Sequence, residues 1–159
     1  MEVELLEGQH LSKITIPDGV IGSIKRFKNF DPQRIQRYEL TSDEVIIFMT
    51  EEDRLQAMEE IRNRIEAYRY EIERQQRPET EAFHQFDYNQ DYHEIIFTVD
   101  QQIFEEDISA LMIELSVVED ALKYQLYSRK EVGVHVQYKD TKTNQVFEDR
   151  YYPTKNESN

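Results

Sequence analysis

Between Pro78 and Leu122 the chain has no lysine or arginine, yet it carries twelve carboxylates: Glu79, Glu81, Asp87, Asp91, Glu94, Asp100, Glu105, Glu106, Asp107, Glu114, Glu119 and Asp120. A charge taken out of water needs a partner of opposite sign. These acids therefore either face solvent or meet bases supplied from outside the run. One outside supply is the cluster Lys25, Arg26, Lys28, Arg34 and Arg37, interleaved with Phe27, Phe30 and Tyr38. Basic residues mixed with aromatics can track single-stranded nucleic acid. The formal net charge of −14 favours pairing inside the chain or with a protein partner instead.

The 159 residues and their spacing predict one α+β domain over 1–152 with a frayed tail over 153–159. Leu11–Ile16, Val20–Phe27, Arg34–Leu40 and Val45–Met49 read as strands, separated by turn chemistry at Pro17-Asp18-Gly19 and at Asn29 to Pro32. Thr50 then caps a helix over 51–76, whose first turn carries Glu51, Glu52 and Asp53. Its apolar stripe (Leu55, Met58, Ile61, Ile65, Tyr68, Ile72) is narrow and leaves room for a symmetric partner, so a homodimer is expected. Glu94–Val99 reads as a strand. A second helix over 104–128 has apolar positions at Phe104, Ile108, Leu111, Leu115, Val118, Leu122 and Leu126. Met112, Ile113, Val117 and Ala121 widen that face, which makes it the more buried helix. Val132–Tyr138 and Gln145–Tyr152 form a hairpin around 140–144. The expected architecture is a mainly antiparallel sheet of six or seven strands with both helices on one face, in the order β-β-β-β-α-β-α-β-β.

The segment 77–92 has no period but holds Phe83, Phe86, Tyr88 and Tyr92, more aromatic surface than a free linker carries, so it is expected to dock on the fold. It also contains the best metal candidates, His84, Asp87, Asp91 and His93. Asp87-x-Asn89-x-Asp91 copies the start of an EF-hand loop, but Tyr92 stands where glycine is needed and Thr98 where bidentate glutamate is needed. His84 and His93 match no standard zinc spacing. An exposed polar loop is the plainer reading.

No catalytic pattern emerges. Cysteine is absent, the four glycines form no phosphate loop, and no serine lies in a nucleophile elbow. His135 lies opposite Val134 and Val136 and reads as a surface or partly packed histidine. The start of the chain has neither the basic nor the apolar stretch of a secretory leader, and no apolar run approaches the ~20 residues of a membrane span. Nucleic-acid mimicry by the acidic run meets a density problem. Asp100 to Asp120 as helix spans ~30 Å, where duplex DNA carries about 18 charges against seven acids here. The expectation is a cofactor-free, non-catalytic, cytoplasmic binding or regulatory protein acting through protein contact. Phe83, Phe86, Tyr88, Tyr92, Glu105, Glu106, Glu119 and Asp120 are its candidate partner surface. Acidic nucleic-acid mimicry and metal binding in the 84–93 connector stand as alternatives.

Overall fold

The chain folds into two four-stranded sheets bridged by a pair of long helices, not into the single sheet expected from its strand count. The computed structural model describes residues 3–6, 9–75 and 80–154. The first sheet contains β1 (Val3–Leu6), β2 (Gln9–Pro17), β3 (Arg37–Leu40) and β4 (Glu44–Thr50), all antiparallel in the order β1-β2-β4-β3. After α1 (Glu51–Arg74) come β5 (Phe83–Tyr88), β6 (Glu94–Val99), α2 (Gln101–Glu105), α3 (Ser109–Tyr127), β7 (Val134–Asp140) and β8 (Val146–Tyr152). The second sheet has the order β5-β6-β7-β8, with β6 and β7 parallel. That parallel pair follows from the crossover through α2 and α3. β4 is flanked on both sides, by β2 and β3, and the strand that arrives after α1 pairs with β6 to begin the second sheet.

Local chemistry accounts for the other departures. Val20–Phe27 is not a strand. Gly19 and Gly22 adopt positive φ (88° and 91°), and the Asp18 carboxylate accepts from the Ile24 N–H at 3.0 Å. Only one 3₁₀ turn, Ile24–Arg26, follows. The aromatic connector does dock, as expected, but it does so as strand β5. The expected second helix is split. Asp100 caps α2 by accepting from the Ile103 N–H, and Asp107 takes the N–H of Ser109 at 2.9 Å as the chain restarts into α3.

Two apolar cores result. One gathers Ile61, Ile65 and Ile72 of α1, Phe83 and Phe86 of β5, Phe97 of β6, Val117 and Ala121 of α3, and Val136 and Tyr138 of β7. The other packs Ile14, Ile16, Val45, Ile47 and Met49 of the first sheet against Ala57 of α1 and against Leu126 and Tyr127 at the end of α3. The helix pair thus spans both cores and holds the two sheets in one body. The hairpin β7–β8 forms as the sequence predicts. Its turn is tied by Asp140, whose carboxylate accepts from the N–H groups of Gln101, Lys142 and Thr143.

Candidate functional site

The metal candidates are not brought together. His93 Nε2 lies 2.8 Å from the Glu131 carbonyl, Asp87 faces Arg69 and Gln85, and the Asp91 carbonyl accepts from Gln125. His84 is exposed on β5. Among the described residues no group of three or more His, Asp or Glu side chains is arranged to hold a metal ion.

The aromatic half of the expected partner surface is interior. Phe83, Phe86 and Tyr92 are fully buried. Phe86 stacks on Phe97 at 4.8 Å between ring centres, and Phe83 meets the same ring edge-on at 5.1 Å. Tyr88 and Tyr92 lie 5.1 Å apart under the guanidinium groups of Arg69 and Arg62. Burial raises both phenols, Tyr92 to about 12. These four residues stabilise the fold through packing and cation–π contact; Phe83, Phe86 and Tyr92 present no contact surface, and Tyr88 is partly buried.

Of the four acids expected at that surface, two are engaged. Asp120 pairs with Arg64 of α1 at 2.9 Å, and Glu119 pairs with Lys123 at 2.9 Å. Glu105 accepts from Gln101, and neither it nor Glu106 meets a cation among the described residues. The basic cluster divides the same way. Arg34 is held by Asp31 and by Glu60 of α1, and Arg37 by Glu39 with its guanidinium 4.0 Å over Phe48. Lys25, Arg26 and Lys28 are exposed and form no ion pair among the described residues. Phe27 packs on Phe30 and Tyr38, so these rings contact one another and are not splayed for base stacking.

His135 takes the place expected for it on the outer face of β7. Its ring stacks on Tyr151 at 4.1 Å, between Glu94 at 3.1 Å and Asp149 at 2.9 Å. One acid was not foreseen as interior. Glu114 on α3 is 0% exposed and accepts from Arg150 at 2.8 and 2.5 Å, from the Tyr138 hydroxyl at 2.6 Å and from the Tyr152 hydroxyl. Burial pushes its carboxyl upward, but hydrogen bonds from Arg150, Tyr138 and Tyr152 outweigh burial and hold it below the usual carboxylate range. With every oxygen engaged, it ties α3 to β7 and β8.

The least expected surface is the outer face of α3. The helix buries Ala110, Ile113, Val117, Ala121 and Tyr124, which turns Ile108, just ahead of its first turn, and Leu111, Met112 and Leu115 to solvent at 89%, 45%, 64% and 44% exposure. These four share one helical face, one or two turns long, with spacings of three, one and three. Sequence spacing puts all four on the face expected to be buried, and the structure corrects this. Glu105 and Glu106 precede the stripe. One turn beyond Leu115 on the same face stands Glu119, which lines a cavity of about 390 Å³ with Lys123, Arg26, Lys28, Phe27 and Phe30. The Lys123 ammonium sits 4.5 Å from the centre of the Phe30 ring. An apolar strip thus runs from an acidic end to a basic-rimmed cavity.

Fold and surface together define an acidic α+β protein with an uncovered apolar helix face. Comparison with protein-family models, with curated proteins and with solved structures finds no match. No helix among the described residues is long and apolar enough to cross a membrane.

Proposed function

We propose that this chain is a non-catalytic, cytoplasmic binding or regulatory protein acting through protein–protein contact, with the outer face of α3 as its contact surface. The observation that carries this reading is the exposed stripe Ile108, Leu111, Met112 and Leu115. A chain with 33 acids and 19 bases has ample polar side chains for a helix face. A contiguous apolar stripe rimmed by charge marks an interaction site. At ~1.5–3 kcal/mol per fully buried side chain, covering the still-exposed fraction of these four contributes about 4–7 kcal/mol per surface before the entropy of association. The partner this surface fits carries an apolar patch with bases at one end, to meet Glu105 and Glu106, and acids at the other, to meet Arg26 and Lys28. Nucleic-acid mimicry is the weaker reading, since Glu119 and Asp120 spend their charge on Lys123 and Arg64.

Met112 reports on this surface directly, because an accessible thioether oxidises to the sulfoxide under mild peroxide. In dilute purified protein Met112 oxidises readily while Met49, fully buried, does not. In native lysate at the same peroxide dose Met112 is expected to be protected. Equal oxidation of Met112 in both settings removes the support for a contact surface on α3.

A further inference from the structure

Resting on that reading, we infer that the partner covering the α3 face is a second copy of this chain, docked antiparallel about a two-fold axis. The first ground is the spacing of the stripe. Ile108, Leu111, Met112 and Leu115 read the same in both directions about the midpoint between Leu111 and Met112. An antiparallel pairing centred there sets Ile108 against the partner's Leu115 and Leu111 against the partner's Met112. Every exposed apolar residue then meets another, as an isologous interface requires.

The second ground is charge. A two-fold axis across the stripe brings each end of one copy to the opposite end of the other. One end carries Glu105 and Glu106, which meet no cation among the described residues. The other carries Arg26 and Lys28, which form no ion pair among the described residues, beside a Glu119 already matched to Lys123. The two ends are therefore of opposite sign and complementary in the antiparallel arrangement. A parallel arrangement would set like charge on like. The contact also leaves uncovered the rest of a surface whose net charge of −14 otherwise keeps copies apart.

Paired charge reversals test this. The purified chain is expected to sediment as a dimer at micromolar concentration and physiological salt. Glu105→Lys with Glu106→Lys makes both ends basic, and Arg26→Glu with Lys28→Glu makes both ends acidic. Each double variant is expected to weaken self-association about 100-fold or more, because like charges then face each other at both ends. Mixing the two in equal amounts is expected to restore a dimer, since every end contact in the mixed pair joins opposite signs. All four positions are exposed, and recovery on mixing itself shows that both variants fold. A wild-type chain that stays monomeric overturns the second copy. Met112 protection confined to lysate would then leave the contact surface standing with another partner. A wild-type dimer that survives either reversal, or a mixture that fails to recover, also overturns it, because the dimer then forms through another face.

Discussion

Replacing Glu114 by Gln keeps the shape of the side chain and removes its charge, at the point where α3 is tied to the β7–β8 hairpin. In the wild type both carboxylate oxygens accept from the Arg150 guanidinium, at 2.8 and 2.5 Å, and each also accepts from a tyrosine hydroxyl. The amide turns an NH₂ donor toward donors, so at least one of these four bonds becomes a donor–donor contact. Removing one partner of a buried ion pair costs ~3–5 kcal/mol when the other is trapped. Arg150 is not trapped. Its side chain is 35% exposed and also pairs with Glu148, so the expected loss falls below that range, at about 2–3 kcal/mol. For a chain of this length that corresponds to a drop in Tm of roughly 4–12 °C. Urea unfolding followed by circular dichroism at neutral pH measures it, with Arg150→Met and the double variant completing a cycle. The double variant is expected to lose less than the sum of the singles. The pH dependence has a fixed sign. A carboxyl held below its usual range contributes stability above that range and loses it as the pH falls through the folded value. The gap between wild type and E114Q should therefore narrow on acidification. A loss under about 0.5 kcal/mol at neutral pH, within the scatter of ordinary surface changes, or an additive cycle, would refute the view of Glu114 as a buried tie.

Two further perturbations check other parts of the fold. Gln125, fully buried, donates to the carbonyls of Asp91 at 2.9 Å and Gly133 at 3.0 Å and accepts from the Gly133 N–H at 2.9 Å. Gln125→Leu strands these backbone groups and is expected to cost about 2–4 kcal/mol in urea unfolding; a neutral effect would mean that water replaces the bonds. Glu51 is held down to about 2 by Arg54 and by the Ser12 hydroxyl. Being half exposed, it contributes modestly. The stability difference between wild type and Glu51→Gln should be constant above pH 5 and shrink between about pH 4.5 and 2, since a depressed carboxyl loses its contribution as it protonates. A difference that grows on acidification would contradict the pairing.

The sequence is most legible where one signal determines an element. Thr50 does cap α1, accepting from the Asp53 N–H at 3.0 Å. Alternation in β7 does place Val134, Val136 and Tyr138 inward. The α3 helix shows where legibility ends. It has two apolar faces, one of Ile108, Leu111, Met112 and Leu115 and one of Ala110, Ile113, Val117 and Ala121. Periodicity merges them into one broad apolar face and does not say which part of it is buried. The small residues decide it, because Ala110 and Ala121 let the helix close on α1 and the second sheet while the bulkier stripe is left outside. Glu114 was invisible for a related reason. An acid on a helix reads as solvated until a distant strand is known to bring Arg150 and two tyrosines to it. Sheet membership was equally out of reach, since nothing in β5 taken singly says that it pairs with β6 and not with an edge strand of the first sheet.

The one-signed run from Pro78 to Leu122 describes the order of residues along the chain and not the surface they build. Most of its ion pairs join groups remote in sequence, Glu119 with Lys123 being the local exception. Asp87 meets Arg69, Asp120 meets Arg64, Glu114 meets Arg150 and Glu94 meets His135, while Asp100 and Asp107 accept from backbone N–H groups at the starts of α2 and α3. A run that held its own bases could pair locally at i,i+4 whether or not the chain was folded, as Arg69 does with Glu73. Excluding bases from the run makes most of its ion pairs conditional on tertiary structure, which ties charge pairing to correct assembly of the two sheets. Among the described residues, Glu81, Asp91, Glu105 and Glu106 meet neither a cation nor a backbone N–H. Glu105 and Glu106 stand together at one end of the exposed stripe on α3, and two bases that form no ion pair among the described residues, Arg26 and Lys28, rim the cavity at its other end. Unpaired charges of opposite sign at the two ends of one uncovered apolar strip are what an antiparallel copy of the same strip neutralises.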